Sequence, residues 1–108
     1  MTSAADNPTS RYVLVDRQPV AEPDLARWAA WFEQLELRRV AVDVIGRTLV
    51  STVCIGVDTG IMGGDPPILF ETLVLWGPHH GHRQRYATWD EAERGHAAVA
   101  GRLRGLLQ

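Results

Sequence analysis

Apolar positions along the chain change their period four times, and each change predicts an element. Tyr12 to Val15 is a short apolar run that reads as a strand. The polar stretch Asp16 to Glu22, with Pro19 inside it, reads as a connector. From Pro23 the period becomes helical: Leu25, Trp28, Ala29, Phe32 and Leu35 fall on one face, with Trp31 on its flank. Pro23 suits a first helical turn, and Glu22 and Asp24 place negative charge where the helix dipole favours it. From Arg39 to Ile45 the pattern alternates, Gly46-Arg47 reads as a two-residue hairpin turn, and Leu49 to Val57 reads as the return strand.

Such a turn places position 44 opposite 49, 42 opposite 51 and 40 opposite 53. One sheet face then collects Val40, Val42, Val44, Leu49, Val53 and Ile55, and the other Ala41, Asp43, Val50, Thr52 and Cys54. Asp58 to Pro67 reads as a loop, long for a hairpin connection, and Ile68 to Trp76 as a third long strand. Gly77 to Arg83 follows as a turn, with Gln84 to Ala87 as a short extension. Thr88 with Glu91 is a capping box that opens a final helix, whose buried face is Ala92, His96, Val99, Ala100, Leu103, Leu106 and Leu107.

The expected architecture is α+β: an antiparallel sheet of about four strands in the order β-α-β-β-β-α, with two helices on one face. Residues 1–10 read as a flexible N-terminus and 11–108 as one domain. With Phe70, Thr72, Val74 and Trp76 toward the helices, Leu69, Glu71, Leu73 and Leu75 join Val50, Thr52, Cys54 and Asp43 on the outer face. That face is too apolar to stay bare, so a homodimer through it is expected. A register shifted by one residue would instead bury Glu71 beneath the helices.

Composition narrows the chemistry. The chain has 108 residues and a formal net charge of −2, so no basic surplus points to nucleic acid. All 11 basic residues are arginine. Without lysine there is no Walker-type phosphate loop, lysine Schiff base or lysine general base. Cys54 is the single cysteine, which rules out an internal disulfide. No signal peptide and no span of about 20 apolar residues is read, so the cytoplasm of the host cell is the expected location.

Several residues carry candidate chemistry. Arg83 and Arg85 with Tyr86 and Trp89 combine guanidinium donors with aromatic faces, a set able to hold a nucleotide-like anion. Glu71, an apolar-flanked carboxylate, is a candidate ligand-binding or acid–base group, or an ion-pair partner for Arg39, Arg83 or Arg85. His79, His80 and His82 form a turn in which His-x-His can offer two imidazoles to a metal, with Glu71 or Asp65 as a further ligand. The Asp58–Asp65 loop does not fit the calcium-loop pattern, and Ile61 and Met62 at its tip read as a contact for another chain. Cys54 has no reason to be a low-pKa thiolate, His96 reads as a hydrogen-bonded core histidine, and Ser51 and Thr52 lack a nucleophile-elbow context. No cofactor, metal or complete catalytic set is assigned.

From Arg11 onward the chain resembles a family of small uncharacterised proteins of tailed-phage and actinobacterial prophage genomes. The resemblance rests on Arg11-Tyr12, Pro23-Asp24-Leu25 with Trp28 and Trp31, Ser51-Thr52-Val53, and Pro66-Pro67 with Phe70-Glu71-Thr72. Its best block is Arg85-Tyr86, Thr88-Trp89-Asp90-Glu91-Ala92 and Gly95-His96. Relatives often carry a histidine where this chain has Thr59. The resemblance implies a phage-borne or prophage-borne accessory protein and no mechanism. The function expected is therefore non-enzymatic: binding of a host protein or a small anionic, nucleotide-like ligand. The alternatives are a small hydrolase or lyase using Glu71 and the His79/His80/His82 turn, metal-dependent or not, and a minor phage structural component.

Overall fold

A computed structural model describes residues 10–60 and 65–106. Strands β1 (Tyr12–Val15) and β2 (Gln18–Ala21) form a hairpin, followed by helices α1 (Leu25–Phe32) and α2 (Leu35–Arg38). Strands β3 (Arg39–Ile45), β4 (Thr48–Cys54), β5 (Phe70–Leu75) and β6 (Arg83–Tyr86) make an antiparallel sheet in sequential order, and α3 (Trp89–Leu106) closes the chain. The α+β arrangement and the four-stranded antiparallel sheet are as expected. Its membership differs. The first strand pairs within its own hairpin, and the short extension after the histidine turn is the fourth strand of the sheet.

The connector around Pro19 is strand β2, which pairs only with β1, so a proline without an N–H costs no ladder bond on its open side. Asp16 and Arg17 form the hairpin turn with φ of 51° and 68°. The first helix begins after Pro23: Asp24 is its N-cap and accepts the Arg27 N–H at 3.1 Å. Trp31, assigned to the flank, is the buried residue of α1, whereas Leu25 and Leu35 are exposed. The reason is Gly56, whose missing side chain leaves room for the Trp31 ring and whose carbonyl accepts the Trp28 indole N–H at 3.0 Å.

The β3–β4 pairing holds at 44/49 and 42/51, but a bulge between Arg39 and Ala41 displaces Val40. Arg39 takes its place opposite Val53, and Val40 packs into the core instead. Between β4 and β5 the partners are Val50 and Val74, Thr52 and Thr72, Cys54 and Phe70. Direct partners share a face, so Val50, Thr52 and Cys54 lie under the helices rather than outside. All six of these side chains are fully buried. Leu69 is also buried, contrary to expectation, and complete burial of a side chain such as Leu69 or Phe70 contributes about 1.5–3 kcal/mol.

The core lies on this one face in two clusters. Trp31, Cys54, Leu69, Phe70 and Ala92 gather beneath α1, the β1–β2 hairpin and the start of α3; Ile45, Val50, Val74, Val99 and Ala100 gather beneath the rest of α3. The capping box forms as predicted: Thr88 Oγ1 accepts the Glu91 N–H at 3.1 Å and Glu91 Oε1 accepts the Thr88 N–H at 3.2 Å. Leu106, expected in the buried face, is 66% exposed. Leu107, residues 1–9, for which flexibility is expected from the sequence, and the Ile61–Met62 loop tip lie outside the described residues. Among the described residues no helix is long and apolar enough to cross a membrane.

Candidate functional site

The two faces of the sheet carry different chemistry, and the proposed ligand set divides between them. On β6, Arg83 and Arg85 stand opposite Leu73 and Glu71 on the outer face, while Gln84 and Tyr86 stand opposite Thr72 and Phe70 on the inner face. Trp89 sits inside as well, edge-on to Phe70 at 6.3 Å between ring centroids, with the Arg17 guanidinium 4.7 Å from its own ring. Arg83 and Arg85 are therefore separated from Tyr86 and Trp89 by the thickness of the sheet.

Glu71 points outward, and its question of register is closed. It faces Arg85 across the strand pair, with Arg85 Nε donating to Glu71 Oε2 at 3.0 Å. The Glu71 side chain is only 14% exposed, so its pairing is sheltered, although Arg85 is 46% exposed. The histidine turn starts after Trp76 and folds back so that the His82 carbonyl accepts the Val74 N–H at 3.0 Å, three residues along β5 from Glu71. Within that turn His80 Nδ1 accepts the Trp76 N–H at 2.7 Å. His79 and His82 line a cleft of about 220 Å³ with Arg102 and apolar residues of β5 and α3. Among the described residues no three His, Cys, Asp or Glu side chains come together as a metal site.

The inner face holds a polar network whose membership the sequence did not single out. His96, 4% exposed on α3, sits between two strands: Nε2 lies 2.7 Å from Asp43 Oδ2 on β3, and Nδ1 lies 2.7 Å from Thr52 Oγ1 on β4. Thr52 and Thr72 hydroxyls are 2.5 Å apart, and the Tyr86 hydroxyl reaches Thr72 at 3.1 Å and Gln84 Oε1 at 3.0 Å. Arg104, two turns further along α3, donates to the second Asp43 oxygen at 2.8 Å. His96 Nε2–H donates to the carboxylate, and the single Tyr86 proton goes either to Thr72 Oγ1 or to Gln84 Oε1, which sets the direction of the Thr72, Thr52 and His96 Nδ1 hydrogen bonds. Asp43 is held below the usual carboxylate range, chiefly by the His96 hydrogen bond, which burial opposes and Arg104 reinforces.

Carboxylate, imidazole and hydroxyl in sequence are the parts of a nucleophilic triad. Here they do not make one. Thr52 is fully buried in the middle of β4, and its oxygen already contacts both Thr72 and His96. No substrate carbonyl reaches it. The network satisfies buried polar groups and ties α3 to β3 and β4 directly, and through Thr72 and Tyr86 to β5 and β6. Its signal in the sequence was the inward alternation of Asp43, Thr52 and Thr72, which becomes readable only once the β4–β5 register is known. His96 itself is the hydrogen-bonded core histidine expected.

Cys54 is fully buried, and burial pushes its thiol up to about 11. A thiol held protonated and out of solvent reacts slowly. Native protein at pH 8 is expected to leave Cys54 unmodified by a soluble aromatic disulfide, with one thiol per chain appearing on unfolding in urea. Rapid modification of the native protein would contradict the packing beneath α1.

The Asp58 loop is organised by its first residue: Asp58 Oδ1 accepts the N–H groups of Gly60 at 2.8 Å and Ile68 at 2.9 Å. Thr59 donates its hydroxyl to the Ile68 carbonyl at 2.9 Å and helps close the base of the loop.

What remains open to a partner is the outer face. Its rows, read across the strands, are Val44–Leu49–Leu75, then Val42–Ser51–Leu73–Arg83, then Arg39–Val53–Glu71–Arg85. Val42 and Val44 are 42% and 73% exposed. Comparison with protein-family models, with curated proteins and with solved structures finds no match to this chain.

Proposed function

We propose that the chain is a non-enzymatic accessory protein of phage or prophage origin that acts by binding another protein, and that it does so as a homodimer joined through the outer face of the sheet. The observation that carries this reading is the division of the sheet. The catalytic-looking residues are sealed inside, while six apolar side chains, Val42, Val44, Leu49, Val53, Leu73 and Leu75, share the face turned away from the helices. An antiparallel sheet usually places polar residues on a face left to water. Here the charge is confined to the row Arg39–Val53–Glu71–Arg85 and to Arg83 at the edge of the row beside it. A face apolar at one end and polar at the other suits an interface with a dry centre and a charged rim.

The reading as a nucleotide-binding protein draws less support, because the arginines and the aromatic rings that would clamp a nucleotide lie on opposite faces. The hydrolase reading draws less again, since Glu71 is engaged by Arg85 on the outer face while His79 and His82 line a cleft against α3.

Ser51 tests the interface without touching the core. It is half-buried at the middle of the outer face, between Val42 and Leu73. Ser51→Arg places a long cation where two sheets would meet and is expected to weaken self-association at least a hundredfold in sedimentation equilibrium. Far-ultraviolet circular dichroism should stay unchanged. Equal self-association of the variant and the wild type would remove this face as the interface.

A further inference from the structure

Where β5 runs out beside the β3–β4 hairpin tip, the backbone presents a tryptophan to solvent. Trp76 is 59% exposed and has φ of 62°, a left-handed conformation that is a genuine outlier for a bulky side chain. Such a conformation is strained and persists only where its surroundings impose it. They do so here from both sides of the residue. The Trp76 N–H donates to His80 Nδ1 at 2.7 Å, and its carbonyl accepts from Thr48 Oγ1 at 3.2 Å. The next residue, Gly77, has φ of 80° and lies so close to the Thr48 hydroxyl that a Cβ would overlap it. Gly81 N–H closes the turn onto the Val74 carbonyl at 2.8 Å. The strain and the exposed indole bring no packing gain within the described chain.

Trp76 borders a groove of about 1060 Å³ whose walls include Ile45, Arg47, Thr48, Pro78 and His80. Among the described residues no carboxylate lines it. Arg47 is exposed and makes no ion pair among the described residues. His80, with Nδ1 taken as an acceptor, offers its Nε2–H as a donor. The groove thus combines an aromatic and apolar surface with a cation and a neutral donor. Tryptophan and arginine are also the residue types on which binding energy concentrates.

We propose that this groove docks a short segment of a partner protein in which an aspartate or glutamate lies within a few residues of a large apolar side chain. The apolar group packs on Trp76, and the carboxylate is taken by Arg47 with His80 Nε2–H. The inference rests on the protein-binding reading above, but it uses a surface separate from the dimer face.

Random peptides displayed for selection on the full wild-type chain provide the test, followed by binding measurements with the enriched sequences. Enrichment of acidic residues next to Phe, Leu or Trp is expected. Trp76→Ala should weaken the selected peptides at least about tenfold. Arg47→Glu should do the same and be rescued when lysine replaces the peptide's acid. Ser51→Arg should bind as wild type. Peptides without an acidic–apolar pattern, or equal binding by Trp76→Ala and Arg47→Glu, would overturn the groove. A chain that dimerises but selects no such peptide overturns the groove alone; a monomeric chain that selects them overturns the dimer alone.

Discussion

Gly95→Ala is expected to destabilise the protein by about 1–3 kcal/mol in urea unfolding, although alanine is the better helix former by about 1 kcal/mol. Gly95 lies in the middle of α3, where glycine is ordinarily a defect. It is needed because the Tyr86 ring crosses the helix at that point. A Cβ on residue 95 would overlap the Tyr86 hydroxyl and the ring atoms beside it. Tyr86 cannot retreat freely, since its hydroxyl is engaged by Thr72 and Gln84. Overpacking and disruption of the network therefore outweigh the gain in helix propensity. The other two glycines of α3 supply the control. A Cβ at Gly101 or Gly105 meets nothing within 4 Å, so alanine there should stabilise by about 0.5–1 kcal/mol. In a Tyr86→Ala background, Gly95→Ala should change sign and become stabilising. Destabilisation that persists in that background would show that Tyr86 is not the cause.

Asp43→Ala is expected to cost about 2–3 kcal/mol at pH 7. The substitution leaves the His96 Nε2–H without its acceptor in a site only 4% exposed and releases the Arg104 side chain from β3. The loss should depend on pH with a defined sign. The Asp43 pKa is depressed in the folded chain below its ordinary value of 3.8. Its contribution is thus fully present above about pH 4 and is lost as pH falls through the folded value. The difference between wild type and Asp43→Asn should narrow on going from pH 7 to pH 2, because below about pH 4 the unfolded chain takes up a proton that the folded carboxylate resists. An unchanged difference across that range would mean that the His96 and Arg104 contacts do not stabilise the ionised form.

Local signals were legible wherever one stretch of chain decides the outcome. Thr88 and Glu91 cap α3 because both partners sit within one turn, and the β3–β4 hairpin keeps its pairing near Gly46-Arg47 because a two-residue turn permits little else. Legibility failed with distance from such anchors. The Val40 bulge lies at the far end of β3, where Arg39 rather than Val40 faces Val53. The β4–β5 register depends on a loop of about ten residues, and an error of one residue there sent Val50, Thr52 and Cys54 to the wrong face. Trp76 was assigned to the core by strand alternation, which its left-handed backbone ends. The Arg83, Arg85, Tyr86 and Trp89 cluster failed as a unit for a simpler reason: neighbours in sequence on a strand alternate between faces.

The central claim is that the sheet's inner face is structural and its outer face binds, first of all a second copy. The mass of the wild-type protein in solution tests it most directly. Light scattering at high micromolar concentration should give twice the 12.0 kDa of one chain. A mass of one chain at that concentration would contradict the account.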